Sequence, residues 1–122
     1  MMLGIGTDLL EIERIRKSIQ REAFLRRIFT GEEIRFASNK KRSVEIYAGT
    51  FSSKEAVSKA LGTGFREFGF ADIEILRDEL GKPFVQLHNK AKERAEALGV
   101  KKIHLSISHT DTHCVAFCVM ED

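Results

Sequence analysis

Residues 44–64 constrain this chain more than any other stretch. Val44, Tyr47, Ala48 and Phe51 recur at the three- and four-residue spacing of a helix with one buried face. The next position on that stripe is Glu55, preceded by Lys54 and followed one turn later by Lys59. A carboxylate where an apolar side chain belongs must meet a compensating charge or a metal, because a lone buried charge is costly. For the helix alone, an ordinary i,i+4 pair between Glu55 and Lys59 is a sufficient account. A second carboxylate brought in from elsewhere would change that balance. Ser43 is placed to cap the helix, and Gly62 can take the left-handed conformation that ends it.

With 122 residues, the chain is expected to form one domain over 1–122, able to bury about two-thirds of its unfolded surface. Its charged fraction of 31% and hydrophobic fraction of 43% are those of an ordinary globular protein. A net charge of +2 does not point to nucleic acid. No apolar run approaches the roughly 20 residues of a membrane span. Residues 1–8 lack the basic region and long apolar core of a secretory signal, so a cytoplasmic setting without membrane attachment is expected. Cys114 and Cys118 are the two cysteines. On a strand they would lie about 13 Å apart, beyond disulfide reach, so two buried free thiols are expected.

In chain order, residues 2–7 read as a short strand with two glycines. Asp8 follows at the start of a helix carried by Leu9, Leu10, Ile12 and Ile15, where it could serve simply as a cap. Arg14, Arg16, Lys17, Arg21, Arg26 and Arg27 then crowd one segment, either as a solvated face or as a surface for an acidic partner. Thr30 and Glu33 have the spacing of a capping box. The polar run 38–43 reads as a solvated connector. Phe65, Phe68 and Phe70 return a loop to the core. Residues 71–77 and 84–88 form a hairpin around the turn 78–83. Asn89 is placed to cap a helix over 90–98 that Gly99 closes. Residues 102–108 and 114–120 make two further strands.

Ser108, His109 and Thr110 bring hydroxyls, an imidazole and backbone amides to a strand end. That set can hold phosphate, or it can merely bond its own turn. His109, His113, Cys114 and Cys118 do not converge if they lie on a strand, and no Cys-x-x-Cys spacing is present, which argues against zinc.

Two stretches, Gly4-Ile5-Gly6-Thr7-Asp8-Leu9-Leu10-Glu11-Ile12-Glu13-Arg14-Ile15 and Phe51-Ser52-Ser53-Lys54-Glu55-Ala56-Val57-Ser58-Lys59-Ala60-Leu61-Gly62-Thr63-Gly64, together resemble the holo-acyl-carrier-protein synthase family of small bacterial 4'-phosphopantetheinyl transferases. Gly81-Lys82-Pro83 and Leu105-Ser106-Ile107-Ser108-His109-Thr110 add weaker matches in the family's order. The chain departs from the family pattern at Ser52 and Ser53, where alanines are commoner, and at Thr50, where many members carry arginine.

The resemblance implies an α+β fold, with an antiparallel sheet packed against a long central helix. It implies Mg2+-dependent transfer of the phosphopantetheine arm of coenzyme A to a serine of acyl carrier protein, releasing 3',5'-ADP, in fatty acid biosynthesis. By the same resemblance Asp8 and Glu55 hold the magnesium ion, and Lys59 neutralises phosphate charge. Gly62, Gly64, Gly81, Lys82, Pro83, Ser108, His109 and Thr110 surround coenzyme A. Arg14, Arg21, Arg27 and Phe24 dock the carrier protein. A homotrimer with sites between subunits is the expected assembly. The proton acceptor stays open among Asp8, Glu55 and a metal-bound water. The rival readings are a non-enzymatic module with a basic face for an acidic partner or RNA, and a relative that binds coenzyme A without transfer.

Overall fold

The structure, a computed structural model, describes residues 1–122. Its elements run β1 (Met2–Glu11), α1 (Ile12–Ser18), α2 (Glu22–Ile28), α3 (Gly31–Ala37), α4 (Ser43–Ala60), a 3-10 turn at Phe70–Asp72, β2 (Ile73–Arg77), β3 (Pro83–Leu87), α5 (Asn89–Leu98), β4 (Lys102–His109) and β5 (His113–Glu121). The expected α+β architecture is present, but as two sheets rather than one. β1, β5 and β4 form an antiparallel sheet with β5 in the middle, and β2–β3 is a separate hairpin.

The first strand corrects the sequence reading. β1 runs through Asp8 to Glu11, pairing Asp8 with Ala116 and Glu11 with His113. Asp8 is therefore a strand residue, not a helix cap. Leu9 and Leu10 satisfy a helical spacing, yet Leu9 is 71% exposed and Leu10 is buried, as strand alternation requires.

α4 sits at the centre of the core. Tyr47 and Ala48 belong to a cluster with Leu10, Ile12, Ile15, Ile28 and Phe29. Ala56, Val57, Ala60 and Leu61 belong to a second, with Ile73, Ala116 and Met120. Burial is thus not confined to one stripe: Ser52, Ser53, Lys54 and Ser58 are also buried, whereas Val44, Phe51 and Glu55 are only half-buried. A helix covered nearly all round needs small residues, and its contact with β1 shows why. An added Cβ at Gly6 would lie 1.9 Å from the Ala56 carbonyl oxygen, and at Gly4 2.1 Å from that of Ala60. Strand and helix meet backbone to backbone, which only glycine permits.

Gly62 has the expected left-handed conformation, with φ of 86°. The Thr30–Glu33 capping box forms, the Glu33 amide donating to Thr30 Oγ1 and the Thr30 amide to Glu33 Oε1. Two expected caps do not. Arg42 takes the N-cap of α4 with no side-chain bond. Asn89 lies inside α5, where its amide donates to Asp72 Oδ1 at 2.9 Å. The 3-10 turn holds Asp72 next to the start of α5, so that side chain is drawn away from the helix end.

Candidate active site

Asp8 comes from β1; Ser52, Glu55 and Lys59 come from one face of α4, spaced i, i+3 and i+7. Because Gly6 brings the strand onto the helix, Asp8 lies against this face, 16% exposed. Lys59 Nζ is 3.5 Å from Asp8 Oδ1 and donates to the Thr7 carbonyl at 2.9 Å. The simple Glu55–Lys59 pair does not form, since the ammonium turns to the strand instead. Ser52 Oγ lies 3.0 Å from Asp8 Oδ2 and 3.1 Å from the Asp8 carbonyl.

Burial raises the Glu55 carboxyl above its ordinary range, the charge of Asp8 raises it further, and Lys59 opposes both. Two carboxylates that repel each other at the edge of a dry helix face fit a small hard cation. Magnesium takes oxygen ligands and binds through one or two carboxylates plus waters and phosphate. No third acidic, histidine or cysteine side chain joins the two carboxylates.

A cleft of about 380 Å³ opens nearby, lined by Arg42, Gly49, Arg77, Gly81, Pro83 and His109 among others. It brings together the hairpin turn and the end of β4, two segments the sequence singled out separately. His109 also borders a shallow groove with Ser108, Thr110 and Leu9. Gly62, Gly64 and Lys82 do not line the cleft. The two glycines shape the turn after α4, the Gly64 amide donating to the Ser58 carbonyl, and the Lys82 amide donates to Asp78 Oδ1.

Three residues of this region escaped sequence reasoning. Arg42 reads as part of a solvated connector and Arg77 as a strand end, yet both residues line the cleft. Arg77 donates to Thr50 Oγ1 at 3.4 Å and stacks over Phe36. Burial lowers its pKa, Glu33 opposing, and no carboxylate pairs with it. The unusual Thr50 was the one signal that could have found it. For Ser52 the signal is its departure from the commoner alanine, which it shares with Ser53 and which does not name Asp8 as its partner.

On α1 and α2, Arg16 pairs with Glu13 at 3.3 Å and Arg26 with Glu22 at 2.6 Å. Arg14, Arg21 and Arg27 form no ion pair and are exposed. Phe24 is half-buried; its ring stacks on Phe51, and the Arg21 guanidinium lies 5.7 Å above it. Cys114 and Cys118 are buried free thiols, burial pushing them up to about 11 and about 12.

The sequence pattern of the 4'-phosphopantetheinyl transferase superfamily matches residues 4–118. A holo-[acyl-carrier-protein] synthase of Clostridium novyi (strain NT) is 52% identical over 122 residues, 99% of this chain and 88% of that protein. The crystal structure of the Neisseria meningitidis holo-[acyl-carrier-protein] synthase superimposes with a TM-score of 0.90 at 36% identity, each chain covered completely. That of the Bacillus anthracis holo-(acyl-carrier-protein) synthase, in complex with CoA (3',5'-ADP), gives 0.82 at 39% identity over 98% of this chain and 96% of the other.

Proposed function

The chain belongs to the 4'-phosphopantetheinyl transferase superfamily, and from that premise we propose that residues 1–122 act as one holo-acyl-carrier-protein synthase domain. It moves the phosphopantetheine arm of coenzyme A to a serine of apo acyl carrier protein, supplying fatty acid biosynthesis. The observation that carries this reading is the meeting of Asp8 and Glu55, from strand and helix, with Lys59 beside them.

The serine oxygen attacks the pantetheine-side phosphorus of the pyrophosphate. A new P–O bond forms, the bond to the bridging oxygen breaks, and 3',5'-ADP leaves. Asp8 and Glu55 would hold a Mg2+ ion, which when bound supplies Lewis-acid polarisation of phosphate oxygens. Lys59, whose ammonium lies beside Asp8, neutralises charge as it grows on the phosphates. The serine proton needs an acceptor, and the Asp8 and Glu55 carboxylates can each take it. Arg42, Arg77 and His109 line the cleft that suits the phosphorylated nucleotide end.

The same proposal assigns Arg14, Arg21 and Arg27 to an acidic face of the carrier protein, with Phe24 as the apolar contact. The outer face of the β1–β5–β4 sheet supports a homotrimer with sites between subunits, since Ile5, Leu9 and Phe117 are 55%, 71% and 42% exposed. A cytoplasmic enzyme is inferred; no helix is long and apolar enough to cross a membrane.

Intact-mass spectrometry of apo acyl carrier protein incubated with this protein and coenzyme A tests the reading. A mass gain of one phosphopantetheine that requires Mg2+ is expected. No gain with several carrier proteins would overturn it.

A further inference from the structure

Three serines of α4 are buried: Ser52, Ser53 and Ser58. Ser53 donates to the Gly49 carbonyl at 2.7 Å and Ser58 to the Glu55 carbonyl at 2.7 Å, so each hydroxyl stays within its own helix. Such back-bonding is the ordinary fate of a helical serine. Ser52 alone reaches out of the helix. Its hydroxyl, with no solvent exposure, sits between the Asp8 carbonyl at 3.1 Å and Asp8 Oδ2 at 3.0 Å. Both acceptors belong to one residue, so a single proton shared between them ties the aspartate side chain to its own backbone. The other carboxylate oxygen, Oδ1, is left on the Lys59 side.

We propose that Ser52 is a positioning residue: its buried hydroxyl holds the Asp8 carboxylate in one orientation, with Oδ1 kept available to a divalent cation shared with Glu55. This rests on the metal reading given above. An aspartate has two side-chain torsions, and an unanchored carboxylate would sample orientations in which neither oxygen faces the helix. Partners one bond removed from a metal orient its ligands, and losing one typically weakens metal affinity roughly 10–100-fold. The close approach of β1 to α4 at Gly6 makes the contact possible, since it brings the strand within hydrogen-bonding distance of so short a side chain.

The test is the dissociation constant of Mn2+ for the full chain without coenzyme A, read from the electron paramagnetic resonance signal of the free ion. Ser52→Ala is expected to weaken binding roughly tenfold. Ser52→Thr, which keeps the hydroxyl, and Ser53→Ala, which deletes an equally buried one, are expected to bind as wild type. Wild-type affinity in Ser52→Ala, or equal weakening in Ser52→Thr or Ser53→Ala, overturns the proposal. Asp8→Asn separates the two levels. If it leaves Mn2+ binding intact, the metal reading fails and this proposal with it; if it abolishes binding while Ser52→Ala does not weaken it, only the role of Ser52 fails.

Discussion

Lys54 and Glu33 form an ion pair of 2.9 Å whose side chains are 0% and 1% exposed. The ammonium also donates to the Phe70 and Ile73 carbonyls, and Glu33 Oε2 accepts the Ile75 amide at 2.7 Å. The pair therefore ties α3, α4 and β2 together, and because Lys54 precedes Glu55 it fixes the rotation at which α4 presents that carboxylate. Lys54→Met leaves a buried carboxylate without its cation. It should cost about 3–5 kcal/mol, as breaking a buried pair does, measured by urea denaturation.

Glu55→Gln should separate stability from activity. The Glu55 carboxyl is raised by burial first and by Asp8 second, so folding shifts it toward the protonated form relative to the unfolded chain. Its stabilising contribution is full below the ordinary value of 4.5 and is lost as pH rises through the elevated folded value. The glutamine removes that loss. In chelator, the variant should be more stable than wild type at neutral pH, and the gap should close below pH 4.5. Mg2+-dependent transfer should fall by more than the roughly 10–100-fold typical of losing an outer-shell partner. Urea melts across pH and a transfer assay read the two effects.

Arg14→Glu addresses the carrier-protein surface. Reversing an unpaired charge on α1 should raise the apparent KM for acyl carrier protein far more than that for coenzyme A. The difference should shrink as salt screens it, over about 8 Å at physiological ionic strength. Equal changes in both KM values would count against docking there.

Gly6→Ala should damage fold and activity together. Its Cβ would meet the Ala56 carbonyl carbon at 2.9 Å and the oxygen at 1.9 Å, backbone that cannot turn aside. Overpacking of this kind costs about 1–3 kcal/mol or more, and any relief lifts Asp8 away from Glu55. Gly31→Ala is the control, with nothing within 4 Å of its added Cβ. Thermal melts and transfer rates of the two variants give the comparison.

The elements with one dominant period were legible. The alternation of β4, the hairpin around residues 78–83 and the length of α4 follow directly from where Ile103, Leu105, Pro83 and Gly62 fall. β1 was misread because Leu9, Leu10, Ile12 and Ile15 satisfy both periods, and only its pairing with β5 decides between them. Glu55 stood out through its place on a stripe, but the deepest charge proved to be Lys54, whose partner Glu33 looked fully occupied by a capping box. The partners of Arg77 and Ser52 were hidden for a related reason. Each acts through a residue far off in sequence, Thr50 for one and Asp8 for the other, so neither carries a local pattern.

The glycines under α4 also act on how the chain can fail. A one-residue slip of β1 would turn Asp8 to the outer face and send Ile5 or Thr7 inward, where the carbonyls of Ala56 and Ala60 leave no room for a side chain. The mispaired strand therefore cannot settle into a well-packed but inert copy of the protein. Folding errors at this strand are proofread by collision, so a folded population should carry its carboxylates in the working arrangement molecule by molecule.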